Sequence, residues 1–239
     1  MRIALLGYGL MGREVEQAAA AGGHTVIVRA DIHNPGDFNP NTASGCDVAI
    51  EFTGPVAAAD TIIRALSYGV PVVSGSTGWL DRYDEVVRFC TEKNGSFIHS
   101  SNYSIGVNIL FRLNTELARI MNLLPDYRPA IEEIHHVQKL DAPSGTALTL
   151  AGDIAGKHHA FDGWQKSGEL TDPEKIPVTS VREGTVPGIH TVTWTSDADI
   201  LTLRHEALSR KGFAAGALLA AGYISTRKGV FTMADVLSI

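Results

Sequence analysis

The groups best suited to acid–base chemistry are concentrated in residues 132–146. This stretch contains His135 and Lys139, and it ends in the turn Ser144-Gly145-Thr146. If the chain is extended there, side chains two positions apart share a face, so His135 and Lys139 lie on one side. A helical turn would also bring them together, as residues i and i+4. Either geometry places a group that exchanges protons beside a fixed cation.

The end of the same stretch is suited to binding an anion. Pro143 ends regular structure, and Ser144-Gly145-Thr146 begins a helical pattern over residues 147–155. The first N–H groups of a helix have no intrahelical partners and carry the positive end of the helix dipole, so they attract anions. A pair of histidines and a Ser-Gly-Thr turn are each common without a ligand. Their combination predicts a site that binds a carboxylate and donates a proton.

The N-terminal residues contain a motif that is typical of dinucleotide-binding proteins. An apolar run at residues 2–6 is followed by Gly7-Tyr8-Gly9-Leu10-Met11-Gly12 and then by a helical pattern over residues 13–21. The three glycines permit a tight turn, close approach of backbone to a pyrophosphate, and close packing of helix on strand. Asp31 follows a second predicted strand, residues 25–30, near the spacing at which a carboxylate meets the adenosine ribose. A turn-forming Asp after a strand is the alternative.

Strands and helices continue to alternate to about residue 100. Strand-like runs at residues 48–52, 70–74 and 97–99 alternate with helical patterns at residues 56–68 and 80–93. This order predicts an α/β fold with a doubly wound parallel sheet of the Rossmann type, in which ligands bind beyond the carboxyl ends of the strands. Any one such end is also an ordinary turn, but their repetition favours function. The small and hydroxyl-bearing residues at three of these ends are candidate cofactor contacts: Thr53, Gly54, Gly75, Ser76, Thr77, Ser100, Ser101, Asn102 and Tyr103.

The alternation then stops, which predicts a second domain. A helical pattern over residues 106–123 leads to a strand-like run at residues 131–137 that carries the two adjacent histidines. Residues 189–195 and 200–206 predict paired strands joined by a turn of hairpin length. The polar residues 157–181 predict a long surface loop. We expect an α+β domain with a mixed or antiparallel sheet, whose open face self-association would cover.

The C-terminal residues are expected to return to the first domain. They comprise a helical pattern over residues 210–224 and a short closing segment over residues 230–237. We therefore predict a dinucleotide-binding domain formed by residues 1–103 and 211–239. Residues 104–210 would form a domain for substrate binding and oligomerisation.

Composition and charge restrict the classes of partner. The 239 residues, 44% hydrophobic and 19% charged, describe an ordinary globular protein that is long enough for two small domains. A formal net charge of −6 argues against nucleic-acid binding, since no broad basic surface is available. Cys46 and Cys90 lie in or beside apolar runs without Cys-x-x-Cys spacing, so we expect two reduced, buried thiols and no metal site. We find no leader or membrane-spanning pattern and expect a cytoplasmic protein.

With these motifs in view, the sequence resembles the dihydrodipicolinate reductase family. The similarity runs nearly end to end, and its most specific part is Glu133-Ile134-His135-His136 followed by Lys139-Leu140-Asp141-Ala142-Pro143-Ser144-Gly145-Thr146. The resemblance implies NAD(P)H-dependent reduction of a cyclic dicarboxylate to tetrahydrodipicolinate, with loss of water, in lysine and diaminopimelate biosynthesis. It also implies a homotetramer built through the sheets of the second domain.

The resemblance further implies roles for single residues. The positions that match His135 and Lys139 serve in proton donation. Those that match His136, Gly145 and Thr146 hold the substrate carboxylates, and Ser144 joins them here as the first residue of the anion-binding turn. The matching cofactor-binding positions are Gly7, Tyr8, Gly9, Leu10, Met11, Gly12, Asp31, Gly75, Ser76, Thr77, Ser100, Ser101, Asn102 and Tyr103.

Two stretches depart from the family pattern. Val137-Gln138 stand where many members have a histidine or an arginine, so this site has fewer cations than usual. Ile32 follows Asp31, whereas some members place there a basic side chain that could meet the 2′-phosphate of NADP. Asp31 would repel that phosphate, and His33 is only a weak partner for it. We therefore expect NADH rather than NADPH.

Two other interpretations are consistent with parts of the sequence. A dehydrogenase of the aspartate or homoserine type would share the first hundred residues but would not need residues 133–146. A nucleotide-sensing protein without catalytic activity would keep the fold and respond to the cofactor alone. Replacing His135 and Lys139 separates these possibilities, because only a reductase would lose turnover.

Overall fold

A computed structural model of the chain describes residues 1–168 and 172–239. These residues form two compact units, Met1–Ile105 with Arg210–Ile239 and Gly106–Ser209, and the chain passes between the units twice. The bounds of the units lie within two residues of the predicted domain boundaries. The roles assigned to the two domains stay predictions.

The first unit contains a six-stranded sheet in which every pair of neighbouring strands is parallel. Its strands are β1 (Arg2–Leu6), β2 (Thr25–Ala30), β3 (Val48–Glu51), β4 (Val72–Ser74), β5 (Ser96–His99) and β11 (Gly229–Phe231), in the order β11-β5-β4-β3-β1-β2. Its helices are α1 (Leu10–Ala21), α2 (Pro40–Ala43), α3 (Ala58–Ser67), α4 (Tyr83–Glu92), α7 (Lys211–Ile224) and α8 (Met233–Leu237).

Both faces of this sheet are buried. Alternate residues of β1 enter two different apolar cores, with Ala4 and Leu6 in one and Ile3 and Leu5 in the other. A parallel sheet covered on both faces has such continuously apolar strands. The predicted doubly wound sheet is therefore confirmed. Because the strand order reverses at β1, the turns after β1 and β3 lie at a switch point, where ligands of this fold bind.

The second unit contains a five-stranded mixed sheet in the order β10-β9-β6-β8-β7. Its strands are β6 (Arg128–His135), β7 (Gly163–Lys166), β8 (Lys175–Arg182), β9 (Ile189–Thr195) and β10 (Ile200–Glu206), and its helices are α5 (Ile105–Met121) and α6 (Gly145–Ala155). The central strand β6 runs parallel to β8 and antiparallel to β9. Leu110 of α5 and Leu150 of α6 share one core with Ile131 and Trp194 of the sheet. The predicted mixed sheet is confirmed.

Three predictions about local structure are wrong, two about segments and one about a cysteine. Within the segment predicted as a loop, residues 157–181, residues 163–166 and 175–181 lie in strands β7 and β8, and residues 169–171 are outside the described residues. Pro177 and the polar flanks hid the alternation that buries Ile176 and Val178. The strand with the histidine pair ends at His135 instead of residue 137, because a turn follows.

The third wrong prediction is the burial of Cys46. Both cysteines are free, but only Cys90 is buried, and Cys46 is half-buried two residues before β3. Within the described part of the chain, no helix combines the length and apolar character needed to cross a bilayer.

Candidate functional site

The turn between β1 and α1 shows what each of its glycines does. Gly7 has a φ of +97°, and a Cβ there would lie 2.3 Å from the carbonyl oxygen of Phe52. A Cβ on Gly12 would lie 2.4 Å from the carbonyl oxygen of Gly7. Around Gly9, in contrast, a Cβ would meet nothing within 4 Å. Two glycines thus permit packing, and the third leaves open space at a helix N-terminus, where a pyrophosphate is stabilised.

A cleft of about 690 Å³ opens beside this turn. It is lined by Gly7, Tyr8, Gly9, Asp31 and Thr53, among others. The Asp31 carboxylate accepts the backbone N–H of His33 at 2.7 Å, which fixes its position at the end of β2. Arg13 and Arg64, which no sequence motif indicated, also line the cleft. Their guanidinium groups place positive charge at this cleft.

A smaller cavity of about 280 Å³ shares Gly9 and Thr53 with the cleft. It extends along the carboxyl ends of β3 and β4, and its lining includes Leu10, Met11, Gly75, Ser76 and Thr77. The two cavities share lining residues and therefore adjoin at neighbouring strand ends. Gly12 lines neither cavity, which agrees with its role in packing.

A buried carboxylate lies beneath these loops. Glu51 is fully buried and accepts hydrogen bonds at 2.6 Å from the hydroxyls of Thr53, Ser74 and Ser76. It also accepts the backbone N–H of Thr53 at 2.6 Å. These bonds connect the turn after β3 to the turn after β4.

The four predicted contacts after β5 have a different setting. Residues 100–103 line neither of the two cavities. Tyr103 is buried, and its hydroxyl donates to the carbonyl of Ser74 at 2.8 Å. Burial, with the negative charge of Glu51, raises the pKa of Tyr103 well above its usual range. The Tyr103 side chain therefore belongs to the core, while Ser101 is exposed. A cofactor contact at residues 100–103 stays a prediction.

In the second unit, β6 carries the predicted proton-exchanging residue at its end. After His135 the chain turns, and the N–H of Lys139 donates to the carbonyl of His136 at 3.1 Å. Neither the extended chain nor the helical turn considered from the sequence is formed at residues 136–139. The Lys139 ammonium pairs with the Asp141 carboxylate at 2.8 Å.

The strand register brings further charged groups to His135. Arg182 of β8 is its parallel neighbour, and Glu133 is the antiparallel neighbour of His190 on β9. The Glu133 carboxylate lies 3.5 Å from Nδ1 of His135, 3.8 Å from Nε2 of His190 and 3.4 Å from the Arg182 guanidinium. The rings of His135 and His190 are 5.0 Å apart between centroids.

Both histidines of this cluster are neutral near pH 7. Burial lowers the pKa of His135 to about 4; the Glu133 carboxylate opposes this shift, and the positive charges of Lys139 and Arg182 add to it. Burial likewise lowers the pKa of His190 to about 3, with a smaller contribution from Lys139. Lys139 is therefore within electrostatic range of both rings. For Glu133, burial would raise the pKa, but hydrogen bonds led by those from Ser144 lower it overall.

The start of α6 has the form that the sequence predicted. Ser144 precedes the helix, and its hydroxyl accepts the N–H of Ala147 at 3.3 Å and bonds with Nε2 of His190 at 3.2 Å. Gly145 is exposed, and a Cβ there would meet nothing within 4 Å. Thr146 is buried beside it. An anion can approach the first amides of α6 over Gly145.

The ligand atoms of Glu133, His135 and His190 lie within 4.8 Å of one another, a spacing at which a metal ion could bind. The Arg182 guanidinium already pairs with Glu133, and the Lys139 ammonium adds a second positive charge nearby. Both charges oppose a divalent cation. The expectation of no metal stays a prediction.

Sequence reasoning missed the roles of Glu133, Arg182 and His190. Glu133 could have been found, because it shares a strand face with His135 two residues later. Arg182 and His190 come from strands far along the chain, and β8 had been predicted as a loop. No local spacing connects these two residues to His135.

An open helix start at a glycine turn in one unit, and a cluster of buried titratable groups at a helix start in the other, are features of a nicotinamide-dinucleotide oxidoreductase, and the chain is of this class. Family models described as the N-terminus and the C-terminus of dihydrodipicolinate reductase match residues 1–103 and 106–237. The chain belongs to the dihydrodipicolinate reductase family.

Individual relatives agree with this assignment. The chain is 46% identical to the 4-hydroxy-tetrahydrodipicolinate reductase of Christiangramia forsetii, over 100% of this chain and 98% of that protein. It is 40% identical to the enzyme of the same name from Methanopyrus kandleri, over 83% of this chain and 74% of that protein. A solved dipicolinate-bound dihydrodipicolinate reductase from Paenisporosarcina sp. TG-14 has a TM-score of 0.78 at 22% identity, and the match covers 97% of each chain. This last similarity concerns the fold.

Proposed function

We propose that the protein reduces 4-hydroxy-tetrahydrodipicolinate to tetrahydrodipicolinate and water with NAD(P)H, in lysine and diaminopimelate biosynthesis. The observation that carries this proposal is the joining of His135, Lys139 and the open start of α6 within one compact unit of a chain that belongs to this family. The identity of 46% to a reductase of that name over the whole chain supports the same reaction.

The second unit has the groups needed to hold a cyclic dicarboxylate. The amides at Gly145 and Thr146 would bind one carboxylate at the positive end of α6, where the Ser144 side chain caps the helix. His136 and the Lys139 ammonium are the candidate partners of the other carboxylate. These local groups act against an overall net charge of −6. The dipicolinate bound to the relative from Paenisporosarcina sp. TG-14 supports a dicarboxylate ligand.

The first unit fits a dinucleotide, because Gly9 leaves open space at the start of α1 and the cleft continues to Asp31. Gly7 to Gly12 would hold the pyrophosphate, Asp31 the adenosine ribose, and Thr53 with residues 75–77 the nicotinamide end. When bound, the reduced nicotinamide supplies a hydride. We propose NADH as the preferred form, since the Asp31 carboxylate repels a 2′-phosphate, although Arg13 and Arg64 reduce that repulsion.

His135 and Lys139 are the residues that would donate the proton and stabilise the negative charge during this reduction. Loss of the 4-hydroxyl group as water leaves a conjugated imine. Hydride addition to this imine places negative charge on the substrate, and a positioned acid must quench it. Lys139 is the nearby cation that stabilises this charge as it develops. His135 is neutral in the free protein, but a bound dianion raises the pKa of its imidazole and allows it to take up and donate a proton.

We further propose a homotetramer assembled through the sheet of the second unit, working in the cytoplasm without nucleic-acid or membrane partners. The edge strand β10 supports self-association, because Ile200 and Leu201 on it are 65% and 40% exposed. Edge strands with exposed apolar residues need cover.

The direct test is oxidation of NADH in the presence of the freshly generated product of the preceding synthase step. We expect rapid loss of reduced nicotinamide only when both substrates are present. A protein that binds NADH but never oxidises it under these conditions would be a nucleotide sensor. Oxidation or reduction with aspartate semialdehyde or homoserine instead would indicate the related dehydrogenases.

A further inference from the structure

Glu133 makes contacts that its neighbours on β6 do not make. Its side chain is fully buried, and both carboxylate oxygens accept the backbone N–H of Ser144 at 3.0 Å. The same carboxylate faces Nδ1 of His135 at 3.5 Å and Nε2 of His190 at 3.8 Å. One buried group thus contacts the start of the anion-binding helix and the proton-exchanging imidazole.

Arg182 completes this arrangement from β8. Its guanidinium lies 3.4 Å from Glu133 and also donates to the carbonyl of Asp141 at 2.6 Å and to the carbonyl of Lys139 at 3.3 Å. Arg182 is therefore hydrogen-bonded to the middle of the loop that follows β6, while Glu133 is hydrogen-bonded to its end at Ser144. The ion pair between Arg182 and Glu133 connects these two contacts.

The His135 ring has distinct surroundings at its two nitrogens. Nδ1 is buried and has no hydrogen-bond partner among residues 1–168 and 172–239, and the Glu133 carboxylate is the acceptor that faces it. Near Nε2, a Cβ on Gly188 would lie only 3.1 Å away, so the glycine keeps that side of the ring uncrowded. Catalytic hydrogen bonds that are long in a free enzyme commonly shorten when the ligand binds.

We propose that Glu133 is the positioning residue of this reaction: paired with Arg182, it holds the anion-binding turn at Ser144 and the proton-bearing His135 in one fixed relation. Glu133 touches neither reacting atoms nor cofactor; it acts through these two groups. The proposal rests on the proposed function, because it assumes that a dicarboxylate binds at the start of α6.

A measurable consequence is that dicarboxylate binding and His135 protonation are linked. The charged and titratable groups that face His135 are Glu133 on its own strand, Lys139 and Asp141 on the following loop, Arg182 on β8 and His190 on β9. A dianion added to this set stabilises the imidazolium, so binding takes up a proton below neutral pH. Glu133 contributes to that uptake, because its negative charge also favours the imidazolium.

The test uses pyridine-2,6-dicarboxylate as the probe. Its binding to the full-length protein is measured by titration calorimetry at about pH 6, near the ordinary pKa of histidine, in two buffers of different ionisation enthalpy. The difference between the buffers gives the number of protons taken up. Four proteins are compared: wild type, Glu133→Gln, Glu133→Asp and the matched control Glu132→Gln, which alters an exposed acid one position earlier on the same strand.

We expect wild type and Glu132→Gln to bind alike, with uptake of a substantial fraction of a proton. Glu133→Gln should bind at least tenfold more weakly, about 1.4 kcal/mol by the standard conversion, and take up clearly less of a proton. Glu133→Asp keeps the charge but draws it back from Ser144, so affinity should fall while proton uptake stays near wild type. A purely structural role would not separate the two variants in this way.

The opposing outcomes are distinct. Wild-type affinity and uptake in Glu133→Gln would overturn the positioning role. If Glu133→Gln does not fold, Glu133→Asp decides, and wild-type affinity in that variant would overturn the proposal. If wild type itself does not bind the probe, the proposed substrate class fails and the inference that rests on it falls too, a result distinguishable from failure of Glu133 alone.

Discussion

In the first unit, the candidate cofactor contacts are mainly backbone and small side chains within a few residues of strand ends. In the second unit, the reactive groups come from β6, β8, β9 and a loop, and buried charges hold them. The first kind of site depends on the absence of side chains at Gly7 and Gly9. The second depends on pairing each buried charge, as with Glu133 and Arg182. Substitutions should therefore damage the two sites in different ways.

The largest expected effect is a loss of turnover with no change in cofactor binding. Replacing both His135 and Lys139 with alanine should lower kcat about 10²- to 10⁴-fold, since positioned proton transfer contributes about that much. The dissociation constant for NADH, measured by fluorescence titration, should not change. Lys166→Ala, which removes an exposed lysine from β7, serves as the control and should retain wild-type kcat. Weakened NADH binding in the double variant would contradict the separation.

Within the glycine turn, two substitutions should differ in kind. Gly12→Ala places a Cβ 2.4 Å from the carbonyl oxygen of Gly7, so we expect a lower melting temperature, in line with about 1 to 3 kcal/mol for overpacking. Gly9→Ala has open space and an ordinary φ of −82°, so stability should be unchanged while NADH binds at least about tenfold more weakly. Thermal melts with and without NADH measure both effects. Equal effects in the two variants would refute the distinction.

A substitution at Asp31 should change the preference between NADH and NADPH by a moderate factor. Asp31→Asn removes the charge that faces the 2′-position, and kcat/KM for NADPH relative to NADH should rise about tenfold, or about 1.4 kcal/mol. Asp81→Asn, an exposed acid that does not line the cleft, should leave the ratio unaltered. A wild-type preference for NADPH would show that Arg13 and Arg64 outweigh the carboxylate.

The last expected effect is a pH dependence of stability to which two buried histidines of the second unit contribute. The pKa values of His135 and His190 are lowered to about 4 and about 3, so the unfolded chain binds protons that the folded chain does not. The contribution of these two histidines to the free energy of unfolding is fully present above the ordinary histidine pKa near 6.5. It is lost as the pH drops towards 4, by up to about 1.4 kcal/mol per pH unit for each histidine. Urea unfolding at several pH values measures this slope.

A matched pair of variants tests the source of that slope. His190→Gln should reduce the slope by about one proton below pH 6.5. His33→Gln, which removes an exposed histidine from the first unit, should leave it as in wild type. An unchanged slope in His190→Gln would place the acid sensitivity elsewhere.

The same contrast explains what the sequence could predict. In the first unit, the strand β1 and the helix start at Gly9 follow from apolar runs and glycine spacing, which are local signals. In the second unit, Ser144 and α6 were predicted for the same reason. Arg182 was missed because its strand contains Pro177 and polar flanks, and its contact with Glu133 spans 49 positions in the chain. Only the strand register brings such residues together, and no local pattern encodes it.

The most direct measurement of the central claim follows the hydrogen itself. NADH carrying deuterium at the transferred position of the nicotinamide is incubated with the protein and freshly generated 4-hydroxy-tetrahydrodipicolinate, and the product is examined by mass spectrometry. The expected result is tetrahydrodipicolinate that carries one deuterium, formed with loss of water from the substrate. The His135 and Lys139 double variant should form this product at least about a hundredfold more slowly. Oxidation of the cofactor without deuterium in the product, or full activity in the double variant, would contradict the account.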